Sequence, residues 1–382
     1  MFAALKTNDS LPRTASFDVN DIDVCVVNAL RRTMIAEVPT VAFAFDPTVK
    51  HNDIKVHTNT GALHNEFLAH RISLVPLYFT SEEVEVFNSD KYTFKINVKN
   101  TSTEMLNVTS HDIEIYDETG NKYPQAFHER IFPANPTTKD YILLTKLKPN
   151  IFDKKRGDEI VLDAKASVNI GKVHSRWSPV SLCTFYNNLD PKKVEEGLQT
   201  YLKEHAALGF PEDELRKRFN TLQVHRCYKT NKYMEPSSFH FDIQSECHLT
   251  PVQIFSKAID TLVKKIEQFI VNVDEPTDAV QITQSQGMSY VTVDNEDHTF
   301  GNMVQAMFYN IFVRDFKMNK TDESSAEPAI TYIGYYQPHP LENKVLLKIK
   351  SNDDISKVLK VGCQKIVNYL NNVSLLWSEF TK

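Results

Sequence analysis

A chain of 382 residues has room for one large domain or two to three ordinary ones, each with a buried core. Its 43 basic and 49 acidic side chains leave a net charge of −6 with 41% apolar residues, a soluble globular balance that argues against a dedicated nucleic-acid binder but allows a local basic face. No run of about 18 apolar residues marks a membrane span, the N-terminus lacks a signal peptide's apolar core, and the five scattered cysteines (Cys25, Cys183, Cys227, Cys247, Cys363) form no Cys-x-x-Cys pair, so a reducing compartment is expected without fold-scale disulfides or cysteine-bound zinc.

Residues 13–19 read as a strand. A helix follows, opened by Asp21 and Asp23, which suit the positive end of its dipole, and closed at Pro39. Val27, Leu30, Met34 and Val38 form one narrow apolar stripe on it, whereas Asn28, Arg31 and Arg32 share a polar, basic face. That face offers donors to carboxylates or carbonyls, although two helical arginines alone more often mark a solvated surface. From about 42 to 165 the texture changes to alternating β-rich runs such as Lys91–Val98 and Asp112–Tyr116, separated by Gly, Asn and Pro turns. This stretch reads as a mostly β insert, with one helix-compatible segment at His64–Arg71.

Residues 188–236 hold two charged helical patterns, near 191–206 and 211–220, and no motif. Ser237–Ser245 alternates like a strand. Thr250-Pro251-Val252-Gln253 then forms a capping box with proline in the first turn, and the helix it starts carries Phe255, Ile259, Leu262, Ile266 and Phe269 on one stripe. Residues 272–282, acidic and proline-containing, read as a linker. Beyond it come a strand at Tyr290–Val293, acids at Asp294–Asp297, and a helix with Phe300, Val304, Met307 and Ile311 on one face. A loop at Thr321–Pro328 leads to strands at Ile330–Tyr336 and Lys344–Lys350. Asp353 and Asp354 open a last helix with Ile355, Val358, Gly362, Ile366, Tyr369, Val373 and Leu376 on its apolar stripe.

The two ends of the chain therefore share one plan: strand, acid-capped helix, strands, long amphipathic helix. Each half leaves a helix stripe too wide to stay wet, so its natural partner is the other half, packed about a pseudo-twofold. The fold class expected is α+β, two paired half-domains of sheet plus long helices with a β insert in the first.

The order Asn28-Ala-Leu-Arg-Arg32, Glu37-Val-Pro-Thr40, Asn59-Thr60 and Leu63–Leu77, the last including His64-Asn-Glu66-Phe-Leu-Ala-His70-Arg71, resembles the third-largest subunit of eukaryotic RNA polymerase II, the counterpart of one bacterial alpha subunit. Ile170–Pro179 is similar to the segment that closes that subunit's insert. Asp294–Asn302 and Gly334–Val345 resemble the eleventh subunit, the counterpart of the other alpha. The resemblance implies a fusion of the two assembly subunits, as large cytoplasmic DNA viruses encode. It divides the chain into a first alpha-like dimerisation domain (1–41 and 166–271), the insert (42–165), the linker (272–282) and a second dimerisation domain (283–382).

The resemblance further implies a non-catalytic platform for the two large catalytic polymerase subunits and small subunits. Template DNA would be met only indirectly, no membrane is involved, and the pairing is internal, not homo-oligomeric. The assembly contacts it implies are Asn28, Arg31, Arg32, Glu66, His70, Arg71 and Trp177. The internal pairing contacts are Phe255, Ile259, Leu262, Ile266, Phe300, Val304, Met307, Ile366 and Tyr369. The place of action is the site of transcription: host cytoplasm and virion for a viral chain, otherwise the nucleus. Relatives often hold zinc through insert cysteines, but none lies between Cys25 and Cys183 here, so that zinc is expected to be lost and no cofactor is expected.

Other chemistry is weak. Glu66 and His70 at i, i+4 lack the second histidine of a zinc-protease helix, and His298 and His339 sit where capping or structural roles are commoner than catalysis. No phosphate loop or paired-aspartate magnesium loop is present. Two rivals follow: a nucleic-acid-binding scaffold using the Arg31/Arg32 face outside a polymerase, and an enzyme acting at Glu66/His70.

Overall fold

The computed structural model describes residues 1–8, 10, 13–49, 52–150, 152–153, 157–206, 209–275, 279–314 and 329–382. The chain opens with β1 (Phe2–Asn8), β2 (Arg13–Asn20), α1 (Val24–Ala36) and β3 (Thr40–Ala42). The insert holds β4 (Ile54–Asn59), α2 (Asn65–Ser73), α3 (Ser81–Glu85), β5 (Thr93–Lys99), β6 (Leu106–Thr109), β7 (Glu114–Tyr116), α4 (Gln125–Ile131), β8 (Leu143–Leu147), β9 (Glu159–Ala164) and β10 (Ser167–Asn169). The first half resumes with β11 (Val180–Asn187), α5 (Pro191–His205), α6 (Glu212–Leu222), β12 (Ser238–Ser245) and α7 (Pro251–Asp274). The second comprises β13 (Val280–Ser285), β14 (Met288–Asp294), α8 (His298–Phe308), β15 (Ile330–Tyr336), β16 (Lys344–Ser351) and α9 (Ile355–Phe380).

The two halves repeat one topology. Their antiparallel sheets run β1-β2-β12-β11 and β13-β14-β16-β15, the same order of first, second, fourth and third strand. Alternation decides which face is covered: Ala15, Phe17 and Val19 of β2, Phe239, Phe241 and Ile243 of β12, and Val345, Leu347 and Ile349 of β16 point inward and are buried. The helices start where the side chains dictate. Asp23 accepts from the Cys25 amide at 2.9 Å, Asp297 from the Thr299 amide at 2.7 Å, and Thr250 and Gln253 form the reciprocal box that opens α7. A single buried cluster runs through both halves, from Phe17 and Phe255 to Phe308 and Trp377.

Several expectations need correction. β1 was not expected, because Lys6, Thr7 and Asn8 give it little apolar alternation; it is held by pairing to β2 along one edge. The expected linker at 272–282 is shorter, since α7 continues to Asp274 and β13 begins at Val280. β13 pairs with β14 across a two-residue turn at Gln286 (φ 52°) and Gly287 (φ 72°), both in the left-handed region that such hairpins demand. Residues 276–278 of that linker, and the loop expected at Thr321–Pro328, lie outside the described residues. α1 does not bury a narrow stripe: Cys25, Val26, Val27, Ala29, Leu30, Thr33 and Met34 are all covered, because α7 and β11 flank it on one side and α8 on the other. Ile311 lies beyond α8, in a π-helical turn at Tyr309–Arg314.

The insert carries its own core around Phe43, Phe94, Phe132 and Leu162, separate from that of the halves. Its main sheet runs β4-β9-β5-β7, with β6-β8 beside it. β3 and β10 pair antiparallel where the chain enters and leaves, Thr40 opposite Asn169 and Ala42 opposite Ser167.

Candidate assembly interface

The interface between the halves is built from long helices with complementary stripes. α7 packs on α9 and α1 on α8. Phe255, Ile259, Leu262 and Ile266 of α7, Phe300, Val304 and Met307 of α8, and Ile366 of α9 all enter the shared core, with Tyr369 packed against it half-buried. Trp377, near the end of α9, was missed by the stripe read from sequence. It is 1% exposed and stacks among side chains of the first half: ring centroids lie 4.4 Å from Phe255, 4.7 Å from Phe17 and 5.0 Å from Phe2. Its Nε1 donates to the Val252 carbonyl at 3.3 Å, so the second half's last helix is stitched into the first half's sheet.

One side of the interface is ionic. Lys265 Nζ on α7 donates to Glu37 Oε1 at 2.9 Å and to Glu296 Oε2 at 2.8 Å, joining the end of α1 to the start of α8. Glu37 is 5% exposed at its side chain and Glu296 15%. Burial alone would push the Lys265 ammonium down; Glu296 and Glu37 outweigh it and hold its pKa above the ordinary lysine value. Glu296 itself is raised, because burial of its carboxyl exceeds the pull of Lys265. Beside this triad, Arg32 Nε donates to Thr299 Oγ1 at 2.7 Å, and Asp297 lies 3.8 Å from Arg32 Nη2 and 3.4 Å from Lys172 Nζ. Burial would raise Asp297, but its hydrogen bonds from Thr299, with Lys172 and Arg32 behind them, keep it below the usual carboxylate range. Only spatial proximity unites Glu37, Lys172, Lys265 and Glu296, which lie far apart in sequence and fit no spacing pattern.

The residues expected to face outward divide into two groups. Arg32 is spent inside the chain on Thr299 and Asp297. Arg71 donates Nε to the Leu144 carbonyl (2.9 Å) and Nη2 to the Leu143 carbonyl (2.8 Å), fastening α2 to β8. Trp177 is 5% exposed, donates Nε1 to the Ser167 carbonyl at 3.1 Å and accepts from Thr40 Oγ1 at its own carbonyl, so it braces the neck of the insert. Trp177, buried in the neck, is a correction to the outward set, whereas Arg32 and Arg71 bond within the chain and still present surface to solvent. Arg31 is half-buried and bonded to Asn28 Oδ1 through Nε (3.1 Å) and Nη2 (3.0 Å), the pair forming a shelf on α1. Glu66 and His70 are exposed on α2. Between them the face carries a residue that sequence reasoning placed only on a helix: Phe67, 68% exposed, with Leu74 47% exposed one turn beyond His70. Phe67 and Leu74 are thus large apolar groups left open to solvent beside Glu66 and His70. Among the described residues no group of three or more His, Cys, Asp or Glu is placed to hold a metal, and no helix is long and apolar enough to cross a membrane.

Comparison with known proteins fits this geometry. A family model described as the RNA polymerase Rpb3/Rpb11 dimerisation domain matches residues 16–266, and a second model with the same description matches 322–374. The chain is 31% identical over 218 residues to DNA-directed RNA polymerases IV and V subunit 3B of Arabidopsis thaliana, covering 53% of this chain and 62% of that protein. It is 27% identical over 281 residues to DNA-directed RNA polymerase subunit Rpo3 of Thermococcus kodakarensis (69% and 95% covered). To DNA-directed RNA polymerases I and III subunit RPAC1 of Saccharomyces cerevisiae it is 30% identical over 294 residues (67% and 83%). The chain belongs to the RNA polymerase Rpb3/Rpb11 dimerisation-domain family and carries that domain twice.

Proposed function

We propose that this chain is the assembly platform of a multisubunit DNA-directed RNA polymerase, with the two alpha-like subunits fused and paired internally. The observation that carries the reading is the doubled topology sharing one core: the surfaces that separate subunits would have to find in solution already meet inside one molecule. A short tether holds the second half at an effective concentration of about the millimolar range, so pairing no longer depends on matched supply of two subunits. The platform works by binding energy: it positions catalytic partners and performs no chemistry.

The partners in this reading are the two large catalytic subunits, docked on the Asn28/Arg31 shelf and the exposed Glu66, Phe67 and His70 face, with small polymerase subunits alongside. Template DNA is met only through them. The insert works without zinc, supported by its cysteine-free sequence and its own apolar core. A viral origin, with action in host cytoplasm and virion, follows from the fusion; otherwise the nucleus is the place. The test is affinity purification of the tagged full chain from its native source, with mass determination of what accompanies it. Two companions far larger than this chain, plus template-dependent RNA synthesis, are expected. A lone 43.8 kDa monomer would overturn the reading.

A further inference from the structure

We propose that the ionic junction makes the second half choose the first over a second copy of itself: cations of the first half meet acids of the second at one side of the pseudo-twofold, while the positions equivalent to those cations on the other side, Tyr369 and Ala306, are neutral.

The equivalence is fixed by the repeat itself. Asp23 caps α1 and Asp297 caps α8, each three residues after its preceding strand ends. Asp21 and Asn295, two residues before those caps, share the left-handed conformation at φ 59° and 62°. Glu296 therefore corresponds to Ile22, and Arg32 to Ala306. Thr250 and Asp354 cap α7 and α9, and counting from them each buried position of α7, from Pro251 to Phe269, falls on a buried position of α9. Lys265 thus corresponds to Tyr369.

On one side Lys265 bridges Glu37 and Glu296, and Arg32 reaches Thr299 and Asp297. On the other, Tyr369 and Ile22 line one cleft, and Asp23 receives a neutral donor, Asn310 Nδ2, at 2.8 Å. A second half paired with its own kind would set Glu296 against Tyr369 in place of Lys265, and Asp297 against Ala306 in place of Arg32. A first half paired with its own kind would keep Glu37 on Lys265 and set Arg32 opposite Asp23, so the junction does not oppose that pairing. Burying one member of an ion pair without the other is strongly unfavourable, so the mismatch acts against pairing of the second half with its own kind, whereas the tether supplies proximity but no choice. Nothing in this depends on a role in transcription.

The test uses full-length chains carrying Lys265→Glu, Glu296→Lys, or both. Each single reversal is expected to lower Tm by about 5–10 °C, and the combined chain to regain at least half of the summed loss. Co-expressing the two singly reversed chains under different tags is expected to give a complex of twice the chain mass. Only by exchanging halves does each reversed position meet its complement; neither chain should form that complex with wild type. Should the reversals prove insoluble, Lys265→Gln with Glu296→Gln reads the same coupling, the combined loss falling short of the sum. Losses that simply add would overturn the pairing, and co-elution no greater than with wild type would overturn the selection.

Discussion

Truncating Trp377 to alanine removes the largest side chain shared by the two halves. A tryptophan buries on the order of 200 Å², which at about 25 cal/mol per Å² gives roughly 5 kcal/mol. A compact unfolded chain hides part of that surface already, lowering the figure to about 3–4 kcal/mol. Lost edge and tilted contacts to Phe2, Phe17 and Phe255 add about 1 kcal/mol. The sum, about 4–5 kcal/mol, lies within the range of about 3–5 kcal/mol for buried Trp→Ala changes. It is a large share of the roughly 5–15 kcal/mol that a typical protein has. Equilibrium urea unfolding followed by far-UV circular dichroism should show a midpoint far below wild type for Trp377→Ala. Trp377→Phe, which keeps a ring but loses the donor to Val252, should fall between. A loss under about 1 kcal/mol for the alanine variant would mean that α9 is not anchored in the first half's sheet, and the account of a shared core would fail.

Gly362→Ala should destabilise by about 1–3 kcal/mol in the same assay, since a Cβ there would lie 2.4 Å from the Phe308 ring; Phe308→Leu should relieve part of it. His128, 6% exposed in the insert, is held below the ordinary imidazole pKa by burial and by His111 beside it. The unfolded chain then takes up a proton that the folded one refuses, so His128 costs stability as pH falls below about 6.5 and has no effect above it. Tm of His128→Leu should therefore fall less than wild type between neutral pH and pH 5. Phe67→Asp should leave Tm unchanged because the ring is exposed, yet reduce recovery of the large companions on affinity purification; unchanged recovery would remove α2 from the docking face.

The helices were legible because their signals are local. Asp23, Thr250, Asp297 and Asp354 cap where the sequence placed acids or a capping box, and every residue of the α7 stripe is buried, with Pro251, Ile254 and Ala258 widening it. Edge strands were not: β1 and β13 owe their form to a neighbour's hydrogen bonds, and their exposed Lys6, Thr7 and Gln284 carry no alternation. The bonds that some outward residues make within the chain were hidden for a related reason. Arg32, Arg71 and Trp177 were identified as binding groups correctly in kind, but a sequence does not reveal that the carboxylate or carbonyl they bind lies elsewhere in the same chain. Lys265 lies off the apolar stripe in sequence, and only the fold brings two acids to it.

The β3–β10 neck has a consequence for how such a chain can evolve and fold. β2 must find β12 across more than two hundred residues, Phe17 opposite Phe241, and the entropy of closing a loop grows with the logarithm of its length. Once Thr40–Ala42 and Ser167–Asn169 are zipped together, the intervening module contributes to that search only as a short turn. Closing the neck a little more than halves the effective loop between Phe17 and Phe241, which lowers its closure cost by about 0.7 kcal/mol. The module above the neck is therefore free to lengthen or change its surface while the paired halves beneath it keep nearly the same folding problem.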